Sequence, residues 1–417
     1  MKIPSTKHCI CFIIFYIFLV VCFVSLVFHR RHISMRDYSL LNNRKILISK
    51  YTVEGVFAIA EEDSFTQSAG KYINYSHAFS YKPFNILKPK FGDLWSETVF
   101  LKNPDNIALI GTQSQEKLQG EIVVVRNGTL DLNTDCGYRA SSSAVKRNQT
   151  KGITQWYSSI IPLYVPDGHT FQHFLDGMLP KIIQVLPTMR MFKAKLLLRY
   201  PRDEIIFDIL KKLNISREQL IFIDSTNVTV GADFLIFTCI TPPLHPYLWK
   251  TARKMVGAPE IPDAWTREFG MVILLTRKGC HNCGRIIQNE VEVLHFLESR
   301  YGKDTVSLFQ GSKTLLESID TFGKARIIIG AHGGAFYNIN FAPAETVLVE
   351  VMPTNDDGSE LAASKTIFWA QADMLDQVYW RICERPLNDK GDVNVNIIVL
   401  ENILEIVDNK QLKTKTV

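Results

Sequence analysis

The sequence predicts an α/β protein: two Rossmann-like domains behind an N-terminal transmembrane helix. Three observations predict it. Residues 9–28 (CICFIIFYIFLVVCFVSLVF) carry no charge, over a length that spans a bilayer. From about residue 155 onward, β-branched and leucine-rich runs alternate with segments of helical spacing, in two successive blocks. Within the second block, residues 326–353 (RIIIGAHGGAFYNINFAPAETVLVEVMP) pass from a strand into a turn with almost no side-chain bulk, then to a second strand. A glycine turn between strand and helix lets backbone approach a ligand, and free N–H groups at a helix start attract phosphate.

The N-terminus reads as a tail at 1–8, a retained signal anchor at 9–28 and a short basic stem at 29–45, with a cleaved signal peptide as the alternative. Lys2 and Lys7 precede the apolar run, and Arg30, Arg31 and Arg36 follow it, so the positive-inside rule alone would leave the body in the cytosol. Five N-glycosylation sequons, at Asn74, Asn127, Asn148, Asn214 and Asn227, argue for the lumen instead. The net charge of +5 over 417 residues, with no basic block interleaved with aromatics, excludes a nucleic-acid partner. Of eight cysteines, Cys9, Cys11 and Cys22 fall in the apolar run. Cys136, Cys239, Cys280, Cys283 and Cys383 lie in the body, an odd number that leaves one unpaired. Cys280-His281-Asn282-Cys283 lacks the second pair that a four-ligand zinc site needs.

Residues 46–150 offer little beyond a strand at 121–126, which Asn127-Gly128 should end in a turn. The first block then predicts strands at 156–165, 195–200, 219–224 and 232–240, with helices at 170–185, 203–213 and 247–255. Gly257 to Asp263, rich in proline, marks the interdomain link, giving domains at 46–258 and 259–417. The second block predicts strands at 271–277, 305–309, 326–329, 346–351 and 377–381. Its helices are predicted at 289–300, 312–322, from 335, at 360–370 and at 395–407.

Three stretches carry chemistry. His169 to Pro180 (HTFQHFLDGMLP) sets His173 and Asp176 three apart on one helix face. Thr276 to Glu290 (TRKGCHNCGRIIQNE) sends Arg277 from a strand end and Arg285 from just before a helix, where two guanidiniums suit a diphosphate. The third is the glycine turn itself, with Glu350 on the strand after it. A metal-binding Asp-x-Asp motif is not evident, Asp356-Asp357 reading as a solvated loop pair. Neither a Gly-x-Ser-x-Gly elbow nor a P-loop occurs.

Together these stretches resemble glycosyltransferase family 61, which includes plant xylan-decorating transferases, the EGF-domain O-GlcNAc transferase and an O-mannose N-acetylglucosaminyltransferase. The order Gly330-Ala331-His332-Gly333-Gly334-Ala335 departs from the family's more frequent Gly-Ala-Gly after the histidine, and the loop between the arginines holds the Cys-x-x-Cys. The resemblance implies a GT-B fold and an inverting, metal-independent glycosyltransferase of the ER or Golgi membrane, single-pass type II, using no cofactor. Its donor would be a UDP-sugar, GlcNAc or xylose, and its acceptor a glycoprotein or polysaccharide. In that reading His173 or Asp176 handles the acceptor hydroxyl. Arg277, Arg285, Asn289, His332, Gly333 and Gly334 hold the donor, and Glu350 accepts from its ribose. The alternative is a luminal glycan-binding protein that kept the fold without the activity; a hydrolase built on His173 and Asp176 is a more distant one.

Overall fold

The computed structural model describes residues 56–57, 73–112, 118–131, 155–165, 167–224, 228–238, 240–259, 270–279, 284–361 and 367–414. The apolar run at 9–28, the stem, Asn148, Asn227, Cys136, Cys239, Cys280 and Cys283 lie outside them. Among the described residues no helix is long and apolar enough to cross a membrane.

In chain order the strands are Val56–Phe57 (β1), Ile73–Tyr81 (β2), Asn85–Ile86 (β3), Lys90–Phe91 (β4), Gly111–Thr112 (β5), Gln119–Asp131 (β6), Gln155–Pro162 (β7), Lys195–Leu198 (β8), Leu220–Phe222 (β9), Thr229–Phe237 (β10), Met271–Leu275 (β11), Val306–Phe309 (β12), Ala325–Ala331 (β13), Val347–Pro353 (β14) and Val378–Glu384 (β15). The main helices are Leu94–Lys102 (α1), Pro104–Leu109 (α2), Leu179–Phe192 (α3), Ile205–Lys212 (α4), Pro246–Val256 (α5), Glu290–Tyr301 (α6), Leu315–Gly323 (α7), Ile367–Met374 (α8) and Ile397–Thr414 (α9).

The fold is mixed α/β with two large sheets. The first runs β1-β2-β6-β10-β7-β8-β9. Its β10-β7-β8-β9 half is parallel and its β1-β2-β6 half antiparallel. The second runs β12-β11-β13-β14-β15-β4 and is parallel throughout. Every residue of β13 and β14 is buried, which explains why their sequences read as continuous apolar runs rather than alternating ones. One hydrophobic core joins the sheets. It takes in Ile161, Leu196 and Ile236 from the first, Ile206 and Trp249 from α4 and α5, and Ile273, Ile328 and Leu348 from the second. The other face of the second sheet packs Val272, Leu274 and Ile329 beneath Leu297 of α6 and Leu404 of α9.

Two features depart from expectation. Asn127-Gly128 makes no turn but continues β6, with Gly128 opposite Ala232 and Thr129 opposite Gly231. Pairing along the whole of β10 outweighs the local turn preference. Residues 90–103 leave the N-terminal half of the chain altogether. β4 extends the second sheet at Trp380 and Arg381 of β15, and Ser96 Oγ of α1 accepts from the Cys383 N–H at 3.0 Å.

The order of the second sheet positions the site. From β11 the chain goes outward to β12, then returns past β11 to build β13, β14 and β15 on the other side. The connections therefore diverge above the carboxyl ends of β11 and β13, the switch point where open parallel sheets bind ligands. Arg277 stands two residues beyond β11, and His332 and Gly333 directly follow β13.

Candidate active site

At the switch point Arg277, the first of the two expected donor arginines, meets the glycine turn, and Arg285 lies close enough to repel it. A methyl group on Gly333 would lie 1.7 Å from Arg277 Nη1, so the guanidinium occupies the space a side chain would need. Gly333 is extended, with φ 163°; its glycine is required by this close approach rather than by conformation. Arg277 Nε donates to the Gly284 carbonyl at 2.8 Å. Arg285 follows with φ +54°, a left-handed residue, and its N–H donates to the Lys390 carbonyl at 3.0 Å. Asp392, unremarked in the sequence, bolts this loop down. It accepts from Ile286 N at 2.9 Å, Gln288 Nε2 at 3.0 Å and Asn388 Nδ2 at 2.9 Å.

The electrostatics call for an anion. Burial, and then the positive Arg285 beside it, push the Arg277 guanidinium down to about 10, with Asp392 opposing. Burial lowers Arg285 as well, against the pull of Glu350. The buried Arg285 Nε has no hydrogen-bond partner among the described residues. Two like charges held together, one with an unsatisfied donor, cost stability that a phosphate or diphosphate recovers. Gly333→Ala is therefore expected to displace Arg277 and weaken binding of a nucleoside diphosphate by about tenfold. Isothermal titration with UDP, beside an unchanged melting temperature, checks it.

The opposite wall comes from the first block. Phe171–His173 opens a helix that widens into a π-turn at Phe174–Met178 before continuing as α3. Pro180 has no N–H for the Asp176 carbonyl that an α-turn would pair with it, so the helix loosens at Asp176. Asp176 Oδ2 accepts from the Tyr337 hydroxyl at 2.6 Å, and Oδ1 lies 3.7 Å from His173 Nδ1. Burial raises the Asp176 carboxyl above its ordinary value, outweighing Tyr337 and His173, which lower it. A carboxylate so placed has the chemistry of a proton acceptor, the role expected of Asp176 or His173. His173, with 42% of its side chain exposed, is the more solvated partner. Tyr337 belongs to Gly334–Phe341, a 3-10 helix where an α-helix was expected, and Phe336 to Phe341 are all buried.

Behind the turn runs a buried polar chain. His332 Nδ1 lies 2.6 Å from Glu350 Oε1, and the Tyr379 hydroxyl donates to Oε2. Arg381 Nε donates to that hydroxyl at 3.0 Å, and its Nη1 to Glu360 Oε1 at 2.9 Å. Asn106 Nδ2 adds a bond to Glu360 at 3.1 Å. Glu350 and Arg381 are both fully buried. Burial pushes Glu350 up, but His332, Arg381 and Tyr379 together hold it below the usual carboxylate range. The hydrogen bond that Glu350 was expected to accept from a ribose has no room here: the carboxylate is sealed in and both oxygens are engaged, so it acts on His332. Arg381→Met would strand Glu350 and Glu360 and is expected to cost about 3–5 kcal/mol, measured by urea unfolding and partly restored by adding Glu360→Gln.

Asn289 is placed elsewhere than the donor role implied. Its amide clasps Val395, accepting from the N–H at 2.8 Å and donating to the carbonyl at 2.9 Å, which ties the start of α6 to the segment before α9. Asn214 is exposed and left-handed, φ +59°, just beyond α4. Asn74 and Asn127 lie on β2 and β6. Cys383 is buried, and its thiol is pushed up to about 12 by burial. Among the described residues no cluster of three metal-ligating side chains occurs.

Known proteins bear on this site. No curated protein matches the chain. Two solved structures show a distant likeness. One is the iron-containing dodecameric glycosyltransferase TibC from enterotoxigenic E. coli H10407, at 12% identity over 57% of this chain and 77% of that one, TM-score 0.25. The other is the heptosyltransferase TibC with ADP-D-β-D-heptose, at 11% identity over 62% and 90%, TM-score 0.25. At that score neither carries an argument about this chain. The family model Glycosyltransferase 61, by contrast, matches residues 171–349. The matched segment opens on the π-turned helix and ends on β14, taking in both walls of the site, and over these residues the chain matches glycosyltransferase family 61.

Proposed function

We propose that this glycosyltransferase is an inverting, metal-independent enzyme that moves GlcNAc or xylose from a UDP-sugar to a glycoprotein or polysaccharide acceptor. Its body lies in the ER or Golgi lumen behind a type II anchor, and its two sheets work as the halves of a GT-B enzyme. The observation that carries the reading is the Arg277–Arg285 pair, held at the switch point with an unsatisfied donor. Such a pair can stabilise a departing diphosphate without a divalent cation.

In this mechanism Arg277 and Arg285 hold the diphosphate. The acceptor hydroxyl attacks C1 of the sugar on the face opposite the phosphate and gives its proton to Asp176. The C1–O bond to phosphate breaks, and UDP leaves with the electron pair. The Tyr337 hydroxyl steadies the Asp176 carboxylate, and His332, gripped by Glu350, shapes the turn beneath the phosphates.

A panel of UDP-sugars offered to the full-length protein in detergent tests the reading, with UDP release and transfer as readouts. Turnover of UDP-GlcNAc or UDP-xylose supports it; a folded protein that neither binds UDP nor hydrolyses or transfers any donor overturns it. Protease protection in microsomes tests the topology, since digestion of the body would place it in the cytosol.

A further inference from the structure

Contacts along the glycine turn come in a definite order. A side chain on Gly333 would strike Arg277, and one on Gly334 would meet Gln172 Oε1 at 2.7 Å. Tyr337, three residues on, bonds Asp176. The turn thus passes from Arg277, the cation assigned to the diphosphate, to Gln172, to the carboxylate assigned to the acceptor proton. Gln172 and Asp176 are four apart on one helical segment, so they look out from neighbouring positions of the same wall.

Gln172 is half-buried, and its amide makes no hydrogen bond to any described residue. Gln184 on the same helical segment makes a contrast. Its Nε2 donates to Thr238 Oγ1 at 2.7 Å and to the Ile240 carbonyl at 2.8 Å, and its Oε1 accepts from Tyr81 at 2.8 Å. One glutamine is spent on the fold and the other is not. A primary amide offers two donors and an acceptor, a match for a ring hydroxyl or an acylamino group.

We infer that Gln172 reads the ring substituents of the transferred sugar. This rests on the donor and base assignments above: with the diphosphate at Arg277 and C1 in reach of Asp176, the pyranose ring lies between them, against the Gln172 amide. Gly334 belongs to the same device, because it leaves the amide room to stand there. Gln172 is a specificity-determining residue, and the sugars it sorts differ in polar groups around the ring.

The test compares full-length wild type with Gln172→Ala, Gln172→Asn and Gly334→Ala on UDP-GlcNAc, UDP-glucose and UDP-xylose. Gln172→Ala should compress the ratio of kcat/KM between the best donor and the next by about tenfold, with UDP affinity unchanged. Gly334→Ala adds a methyl that strikes the Gln172 amide oxygen at the end of its side chain and should compress the ratio likewise. The double variant should go no further than either single one, and Gln172→Asn should retain part of the preference. A uniform fall across all donors with their ranking intact, or a loss of UDP affinity in Gln172→Ala, overturns the inference while leaving the transferase reading standing. Wild type that turns over no UDP-sugar removes both.

Discussion

Asp176→Asn is expected to lower kcat by about a thousandfold while leaving UDP affinity within about twofold, because it removes the proton acceptor and not the diphosphate site. The variant keeps shape and the bond from Tyr337, so the melting temperature should hold. The pH profile gives an independent sign. In the proposed mechanism activity requires ionised Asp176, so kcat/KM is expected to fall as pH drops through its pKa, which burial places above the ordinary 3.8. The Tyr337 hydroxyl and His173 pull that value down. Tyr337→Phe keeps the ring against Phe368, 4.9 Å between centroids, but deletes the hydrogen bond. The acidic limb should therefore move to higher pH, and His173→Gln should move it the same way. A limb that stays fixed in both variants would mean that another group takes the proton.

Arg277→Met should weaken UDP binding by about a hundredfold, as expected when one of two charges gripping a diphosphate is lost. Stability should follow the opposite course to binding at the neighbouring arginine. The buried Arg285 Nε is unsatisfied and its charge is repelled by Arg277, so Arg285→Asn, which suits the left-handed backbone, should leave the ligand-free melting temperature unchanged or higher. The same variant should lose most of the stabilisation that UDP confers. Wild-type UDP affinity should also decline as pH rises past about 10, where Arg277 gives up its proton. Titration calorimetry and melting curves with and without UDP check these signs. An Arg285→Asn protein that melts lower yet binds UDP normally would assign the arginine to the fold.

The centre of the second sheet was legible because β13 and β14 are buried on both faces and their composition says so: Ile327-Ile328-Ile329 and Val347-Leu348-Val349 could be little else. The arginine pair and the Asp176 helix were legible as motifs. What escaped the sequence depends on pairings between distant segments. β2 and β6 find each other across some forty residues, and β4 finds β15 across nearly three hundred. Tyr337 fell within the helix expected from 335, and only the fold turns its hydroxyl to Asp176. Asp392 sat in a turn-like stretch with nothing to mark it. Glu350 and Asn289 were recognisable, but burial and the Val395 clasp decided their work, and neither leaves a trace in residue order.

The excursion of residues 90–103 onto the second sheet has a bearing on how the chain is made. β4 leaves the ribosome long before β15, whose open side it must cover. Until the C-terminal segment emerges, the first block is synthesised with a strand and a helix that have nowhere to dock. The second block, taken alone, would present β15 as a bare edge ready to pair with another chain. A fragment beginning at residue 259 would carry Arg277, Arg285 and the glycine turn, yet it would lack both the Asp176 wall and the strip that closes its sheet. The unit that folds is the whole body, and closure of its last edge waits for β15 to emerge.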